Sequence, residues 1–236
     1  LDVRLSFYVH ATPDAEIHAE LPPIRRVTLR VSREDQVRGV KALGREAAKP
    51  ITGWKPGKFV SPFEAKLAYA CAMKRGAAID TARDYVTPAG GKIVVFTTRI
   101  AENLAYARAF TRAFSYAKVW EASGETTTPD ERDEIGQAFK AHPGPCVLVA
   151  TLGSMGESVD GLQTANAGIF ATLPDTPGAL IQGDGRFTRQ GQASAICLFY
   201  LIAEGHTVDE MLSQRLLDKF PAVVALVGDM AIAEAQ

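Results

Sequence analysis

The chain has 236 residues, 47% of them hydrophobic and 22% charged, with a formal net charge of −1. That length suits one large domain, or one domain with an appendage, and that apolar fraction suits a globular protein with a substantial core. The near-zero charge argues against a protein that coats nucleic acid by bulk basicity, but not against one that holds phosphates with a few placed groups.

"LPPIRRVTLRVS" alternates Val27, Leu29 and Val31 against Arg26, Thr28 and Arg30, which predicts a half-exposed strand after a proline-stiffened start. "REDQVRGVKALGREAAK" and "SPFEAKLAYACAMKRGAAIDTARDYV" both carry helical patterns, joined by the Gly/Pro-rich "PITGWKPGKFVSP". Residues 1–90 are therefore expected to form an opening strand and a mainly helical appendage. Arg25, Arg26, Arg30 and "KPGKF" read as a solvated basic face, with contact to DNA as the alternative.

From residue 91 onward the pattern becomes regular. "KIVVFT", "AKVWEA", "CVLVAT", "AGIFAT" and "AICLFYLI" are short apolar runs rich in β-branched and aromatic residues, hence strand candidates. Between the first two, Leu104, Ala107, Phe110 and Phe114 fall near helical spacing. "TTTPDERDEIGQAFKAH" opens a helix with Thr128 as N-cap, Pro129 at the first position and acids in the first turn. In the tail, Val208, Met211, Leu212 and Leu216 fit a helix folding back on the domain. Continuous apolar strands alternating with helices predict an α/β fold, a parallel sheet covered on both faces, over residues 91–236.

No apolar run approaches the roughly 18 residues that span a bilayer, and no signal-peptide pattern is visible at the start. Cys71, Cys146 and Cys197 are odd in number and far apart, and His10, His18, His142 and His206 do not cluster. This predicts a reducing cytoplasm and no bound structural metal. Leu1 in place of Met suggests a segment of something longer.

Ligands of open parallel sheets bind at the carboxyl ends of the strands. Three polar stretches fall there: Thr97, Thr98 and Arg99; "TLGSMG" from Thr151 to Gly156; and "QGDGRFTRQGQ" from Gln182 to Gln192. Arg186 and Arg189 share a face if their segment is helical, and two guanidiniums on one face suit a phosphate or carboxylate. The plain alternatives are a solvated helix end for the arginines, a helix cap for Thr97 and Thr98, and an ordinary loop for "TLGSMG". Glu157 and Asp160 have no nearby His or clustered carboxylate, which argues against acid–base catalysis.

The order "KIVVFT", "SGETTTPDERDEIGQAF", "VLVATLGSMGESVDGLQTAN" and "LPDTPGALIQGDGRFTRQGQ" resembles the second RecA-like lobe of superfamily 2 helicases and translocases. Gln182, Gly185, Arg186 and Arg189 match that family's motif VI, and the trailing Gly191-Gln192 leans toward the Swi/Snf-like duplex-DNA translocases. Where that subgroup's motif V runs Gly-x-Gly-Leu-Asn, this chain reads Gly156-Glu157-Ser158-Val159-Asp160-Gly161-Leu162. The resemblance implies that Arg186 and Arg189 are arginine fingers and that Gln182, Gly185 and Asp160 serve the ATP side. It implies that Thr97, Thr98, Thr151 and Gly156 contact the nucleic-acid backbone. A first RecA-like lobe of the same protein would hold ATP and Mg²⁺, and DNA, chiefly duplex, would be the other partner. RNA or single-strand helicase activity and a non-catalytic RecA-like interaction module are the alternatives. No Gly-x-x-x-x-Gly-Lys-Ser/Thr loop is present, since "GWKPGKF" has the wrong spacing and "AGGKIVV" leads into a strand. The chain alone is therefore expected not to hydrolyse ATP.

Overall fold

The structure, a computed structural model, describes residues 22–42, 62–124, 126–154, 160–188, 192–206 and 208–219. The elements are β1 (Ile24–Val31), α1 (Arg33–Ala42), α2 (Pro62–Arg83), β2 (Lys92–Thr97), α3 (Ile100–Ala113), β3 (Lys118–Ala122), α4 (Pro129–Ala141) and β4 (Cys146–Thr151). A 3-10 turn (Leu162–Thr164), β5 (Ala167–Phe170), α5 (Pro177–Gly185) and β6 (Ile196–Ala203) follow. Residues 208–219 form α6.

The six strands of the described residues make one sheet in the order β1-β6-β5-β2-β4-β3, and each of their pairings is parallel. Both faces are covered, so alternate residues of each strand serve two separate cores. Val94, Phe96, Leu148, Ala150, Phe170 and Leu198 pack with Phe139 of α4, Leu180 of α5, and Val208, Leu212 and Leu216 of α6. Ile93, Val95, Val147, Val149, Ile169 and Leu201 pack on the opposite side with Cys71, Ala78 and Ile79 of α2, and Tyr106 and Phe110 of α3. This double burial explains why the central strands read as continuous apolar runs.

β1 alternates because it is an edge. Val27 and Leu29 lean on the α2–α3 side, while Arg25 and Arg30 are exposed. It pairs with β6 from Ile24↔Ile196 to Val31↔Ala203. Gln36 Nε2 then donates to the carbonyls of Val31 and Glu204, fastening α1 to the ends of both strands. The opening strand and α2 thus share the sheet and core of residues 92–203, and the expected division at residue 90 falls in the turn between α2 and β2.

The expected start of α4 is present as a full capping box, with Thr128 Oγ1 accepting from Glu131 N and the Glu131 carboxylate accepting from Thr128 N. The stripe expected on α3 is displaced: Asn103, Tyr106, Ala109 and Phe110 are buried, whereas Leu104 and Ala107 are only partly so. In α6, Met211 is among the exposed large apolar residues, while Val208, Leu212 and Leu216 face the core. Gly161 adopts φ +117°, and a Cβ there would lie 2.5 Å from the Gly136 carbonyl of α4, so the glycine lets the chain cross that helix closely.

Candidate functional site

The chain leaves β2, runs out to β3, returns to β4 beside β2, and then passes to β5 on the other side of β2. The loops leaving β2, β4 and β5 diverge at this reversal, which is where open parallel sheets form a crevice. A cleft of about 580 Å³ lies there. Its polar wall holds Thr98 and Arg99 after β2, Gly153 after β4, Asp175 after β5, and Gln182 and Arg186 from α5 and its end. Its apolar wall includes Leu152, Leu173, Phe63 and Leu67 of α2, and Leu212 of α6.

α5 starts with Thr176 as N-cap, its side chain accepting from Ala179 N, and Pro177 inside the first turn. The helix stops at Gly185. Arg186 is its C-cap, still in the right-handed helical region at φ −71° and ψ −24°, with its N–H bonded back to the Gly183 carbonyl. The helix expected to carry both arginines therefore ends before Arg186. Arg189, Gly191 and Gly156 lie outside the described residues. Gln182 and Arg186 remain one helical turn apart and line the same cleft. Gly185 faces open space.

Thr97, expected to touch nucleic acid, is fully buried. Its hydroxyl lies 3.1 Å from Asn103 Oδ1, and the Asn103 amide donates to the Glu121 carboxylate and the Ala122 carbonyl. Thr97 thus locks the ends of β2 and β3 together through Asn103 and presents no hydroxyl to the surface. Thr98 lines the cleft, and among the described residues its Oγ1 has no hydrogen-bond partner. Neither threonine caps α3, whose N-cap is Arg99 without a side-chain capping bond. Thr151 is buried and donates to Ser154 Oγ at 2.7 Å, so it shapes the loop after β4.

Asp160 stands apart from the cleft. It accepts from Gln163 Nε2 at 2.7 Å and pairs with Lys140 Nζ at 3.0 Å, and the Gln163 bond followed by Lys140 holds its carboxyl below the usual range. The geometry ties it to α4, not to Gln182 or Arg186.

Two groups escaped the sequence reading. Asn103 gave no signal, because a lone Asn in a helical pattern reads as surface. Asp184 sits between two glycines of the quoted motif, and nothing in the sequence marks it for a role. It is buried, pairs with Arg26 Nε at 2.8 Å, and accepts from Tyr200 OH at 2.8 Å. Burial pushes its carboxyl above the ordinary range, against the pull of Arg26 and Tyr200. Arg26, read as part of a solvated basic face, is instead half of this pair.

Chemically, the cleft offers the Arg99 and Arg186 guanidiniums, the Gln182 amide, the Thr98 hydroxyl and the Asp175 carboxylate. Arg99 is also paired to the buried Glu102 at 3.4 Å. The guanidiniums and the amide are groups that bind and orient an anion. Cys71 and Cys146, whose thiols burial pushes up to about 11, do not line the cleft. Among the described residues no group of three or more His, Cys, Asp or Glu side chains is placed to hold a metal ion. No described helix is long and apolar enough to cross a membrane.

No protein-family profile matches the chain. Over 112 residues it is 30% identical to the SWI/SNF-related matrix-associated actin-dependent regulator of chromatin subfamily A-like protein 1 of Xenopus tropicalis, a match covering 48% of this chain and 11% of that protein. The Xenopus laevis protein of the same name matches to the same extent. The chain thus spans about a tenth of the length of these relatives. Among solved structures, the C-terminal part of the Fun30 ATPase domain superposes with a TM-score of 0.50 at 17% identity, covering 68% of this chain and 54% of that one. The fold is therefore that of a RecA-like α/β lobe, and the resemblance expected from the motifs is met both in sequence and in structure.

Proposed function

We propose that this chain is the second motor lobe of a DNA-dependent ATPase, a Swi/Snf-like translocase on duplex DNA. In this reading Arg186 and Arg189 are arginine fingers for ATP held on a first lobe of the same protein. The observation that carries the proposal is the shared cleft of Gln182, Arg186 and Arg99 at the carboxyl ends of parallel strands. Phosphoryl transfer passes through a loose, charge-spread transition state, so placed positive charge is what a second lobe contributes most usefully. Gln182 orients the nucleotide side of the cleft, and Gly185 leaves the end of α5 open to approach. Duplex DNA as the track rests on the resemblance of the Gly191-Gln192 ending to Swi/Snf-like translocases, in line with the similarity to SWI/SNF-related proteins. Thr98 and Gly156 are then assigned to the nucleic-acid side, while Thr97 and Thr151, turned inward, shape the strand ends and loop beneath it. Among the described residues Asp175 is the carboxylate that lines the cleft and no cluster of three metal-ligating side chains is present, so in this reading the first lobe supplies most of the Mg²⁺ ligands. When bound there, Mg²⁺ neutralises charge on the transferring phosphoryl oxygens.

The test is ATP turnover by the intact natural protein that carries this chain, with duplex DNA, single-stranded DNA and RNA compared. Duplex is expected to stimulate most. Arg186→Ala is expected to cut stimulated turnover by roughly a thousandfold, the scale of an arginine finger elsewhere, and the isolated chain is expected to turn over no ATP. Turnover indifferent to Arg186 would sink the proposal, and stimulation mainly by single strands or RNA would replace the translocase with a helicase.

A further inference from the structure

Arg186 owes its place to its neighbours on either side. Asp184 precedes it by two residues, Phe187 follows it, and both side chains point away from the cleft into the core. Phe187 is fully buried against β5, where a Cβ at Gly168 would lie 2.5 Å from its Cζ. Asp184 is held by groups from two other strands, Arg26 of β1 and Tyr200 of β6, and Tyr200 meets both carboxylate oxygens at 2.8 Å. The Tyr200 ring is itself stacked on Phe170 of β5, with centroids 4.9 Å apart. Backbone bonds complete the turn: Arg186 N donates to the Gly183 carbonyl and Phe187 N to the Asp184 carbonyl. A carboxylate in a core is costly to desolvate and returns little net stability even when paired. What the arrangement provides is direction, because a short side chain held by two donors from two different strands fixes the backbone that bears it.

We propose that Arg26 and Tyr200 are positioning residues for Arg186, acting through Asp184 to hold the turn that presents the guanidinium to the cleft. The inference rests on the reading of Arg186 as a cationic group for ATP. It adds that a strand 158 residues away in the chain contributes to turnover without touching the cleft.

Tyr200→Phe and Arg26→Gln, made in the intact natural protein, each remove contacts to Asp184 while keeping most of the packing. Each is expected to lower kcat about tenfold, within the hundredfold that a misplacement of about 1 Å can cost. KM for ATP should stay within about twofold of the parent, since the loss lies in the transition state. Arg26→Lys should recover part of the loss. The decisive comparison is with Arg186→Ala: if the two residues act through Arg186, Tyr200→Phe has no further effect in that background. A purely structural role would lower both backgrounds equally, and that result overturns the proposal. Unchanged kcat in Tyr200→Phe and Arg26→Gln, alongside a large loss in Arg186→Ala, overturns it too while leaving the proposed function standing. An Arg186→Ala protein with full turnover would instead remove the reading on which both rest.

Discussion

Lys74 of α2 and Asp209 of α6 meet at 2.6 Å with both side chains fully buried. Lys74 Nζ also donates to the Leu201 carbonyl, and Asp209 Oδ2 accepts from Ala203 N, so the pair binds two helices to the end of β6. Ionised groups this deep persist only when each neutralises the other. Lys74→Met leaves Asp209 without its cation and is expected to cost about 3–5 kcal/mol, whereas Lys74→Met with Asp209→Leu should cost far less. Urea denaturation of the three proteins checks this, and equal losses in the single and double variants would show that the pair is not what holds these helices. The same reasoning applies on a smaller scale to Thr97 and Asn103, whose polar atoms are spent on one another and on strand ends.

Among the elements, α4 is the one whose boundary follows most directly from local chemistry. Thr128, Pro129 and Glu131 satisfy the helix start on the spot, without help from distant residues. Thr128→Ala is expected to cost about 1 kcal/mol, as for other N-cap hydroxyls, measured by thermal or urea unfolding. Glu131 gives this cap a pH dependence. The Thr128 backbone N–H, then the Thr128 side chain, hold its carboxyl below the ordinary range. A carboxyl lowered in the folded state stabilises above its unfolded pKa, and that contribution is lost as pH falls through the lowered value. The stability difference between the parent and Glu131→Ala should therefore be full at neutral pH and shrink below about pH 4. A difference that is constant down to pH 2 would mean the carboxylate is not the capping group. α3 shows the opposite case. Its buried face runs through Asn103 and Tyr106 because Tyr106 OH donates to the Cys71 carbonyl of α2 and Asn103 bridges strand ends. Neither partner is local.

For the molecule as a whole, β1 has a protective role. β6 is an apolar strand, "ICLFYLIA", almost wholly buried between β1 and β5. Without β1 it would become an exposed edge of unpaired backbone groups, the arrangement most prone to pairing with another copy. The chain shortened to begin at Ser32 is expected to associate in a concentration-dependent way, seen by light scattering against the full chain. A shortened chain that stays monomeric and unfolds at the parent's temperature would show that β1 is dispensable. The same edge strand delivers Arg26 to Asp184, so the sheet's protection and the placement of Arg186 depend on one segment.

By itself, the sequence determined the features whose causes are local or repeat along the chain. Burial on both faces makes β2, β4 and β6 continuous apolar runs, and the alternation in β1 marks an edge. A capping box announces α4, and glycines, threonines and arginines at strand ends announce the cleft. Only the tertiary structure decided how those polar residues divide their work. Thr98, Gln182 and Arg186 face the cleft, Thr97 and Thr151 turn inward, and Asp160 goes to Lys140. Arg26, which alternation places among solvated bases, crosses to a carboxylate that the motif seemed to leave idle. Hydrophobic period reports which face of an element is buried, but the task of a charge or hydroxyl depends on the partner that folding brings to it. Here those partners come from other strands and helices, and the chain order does not name them.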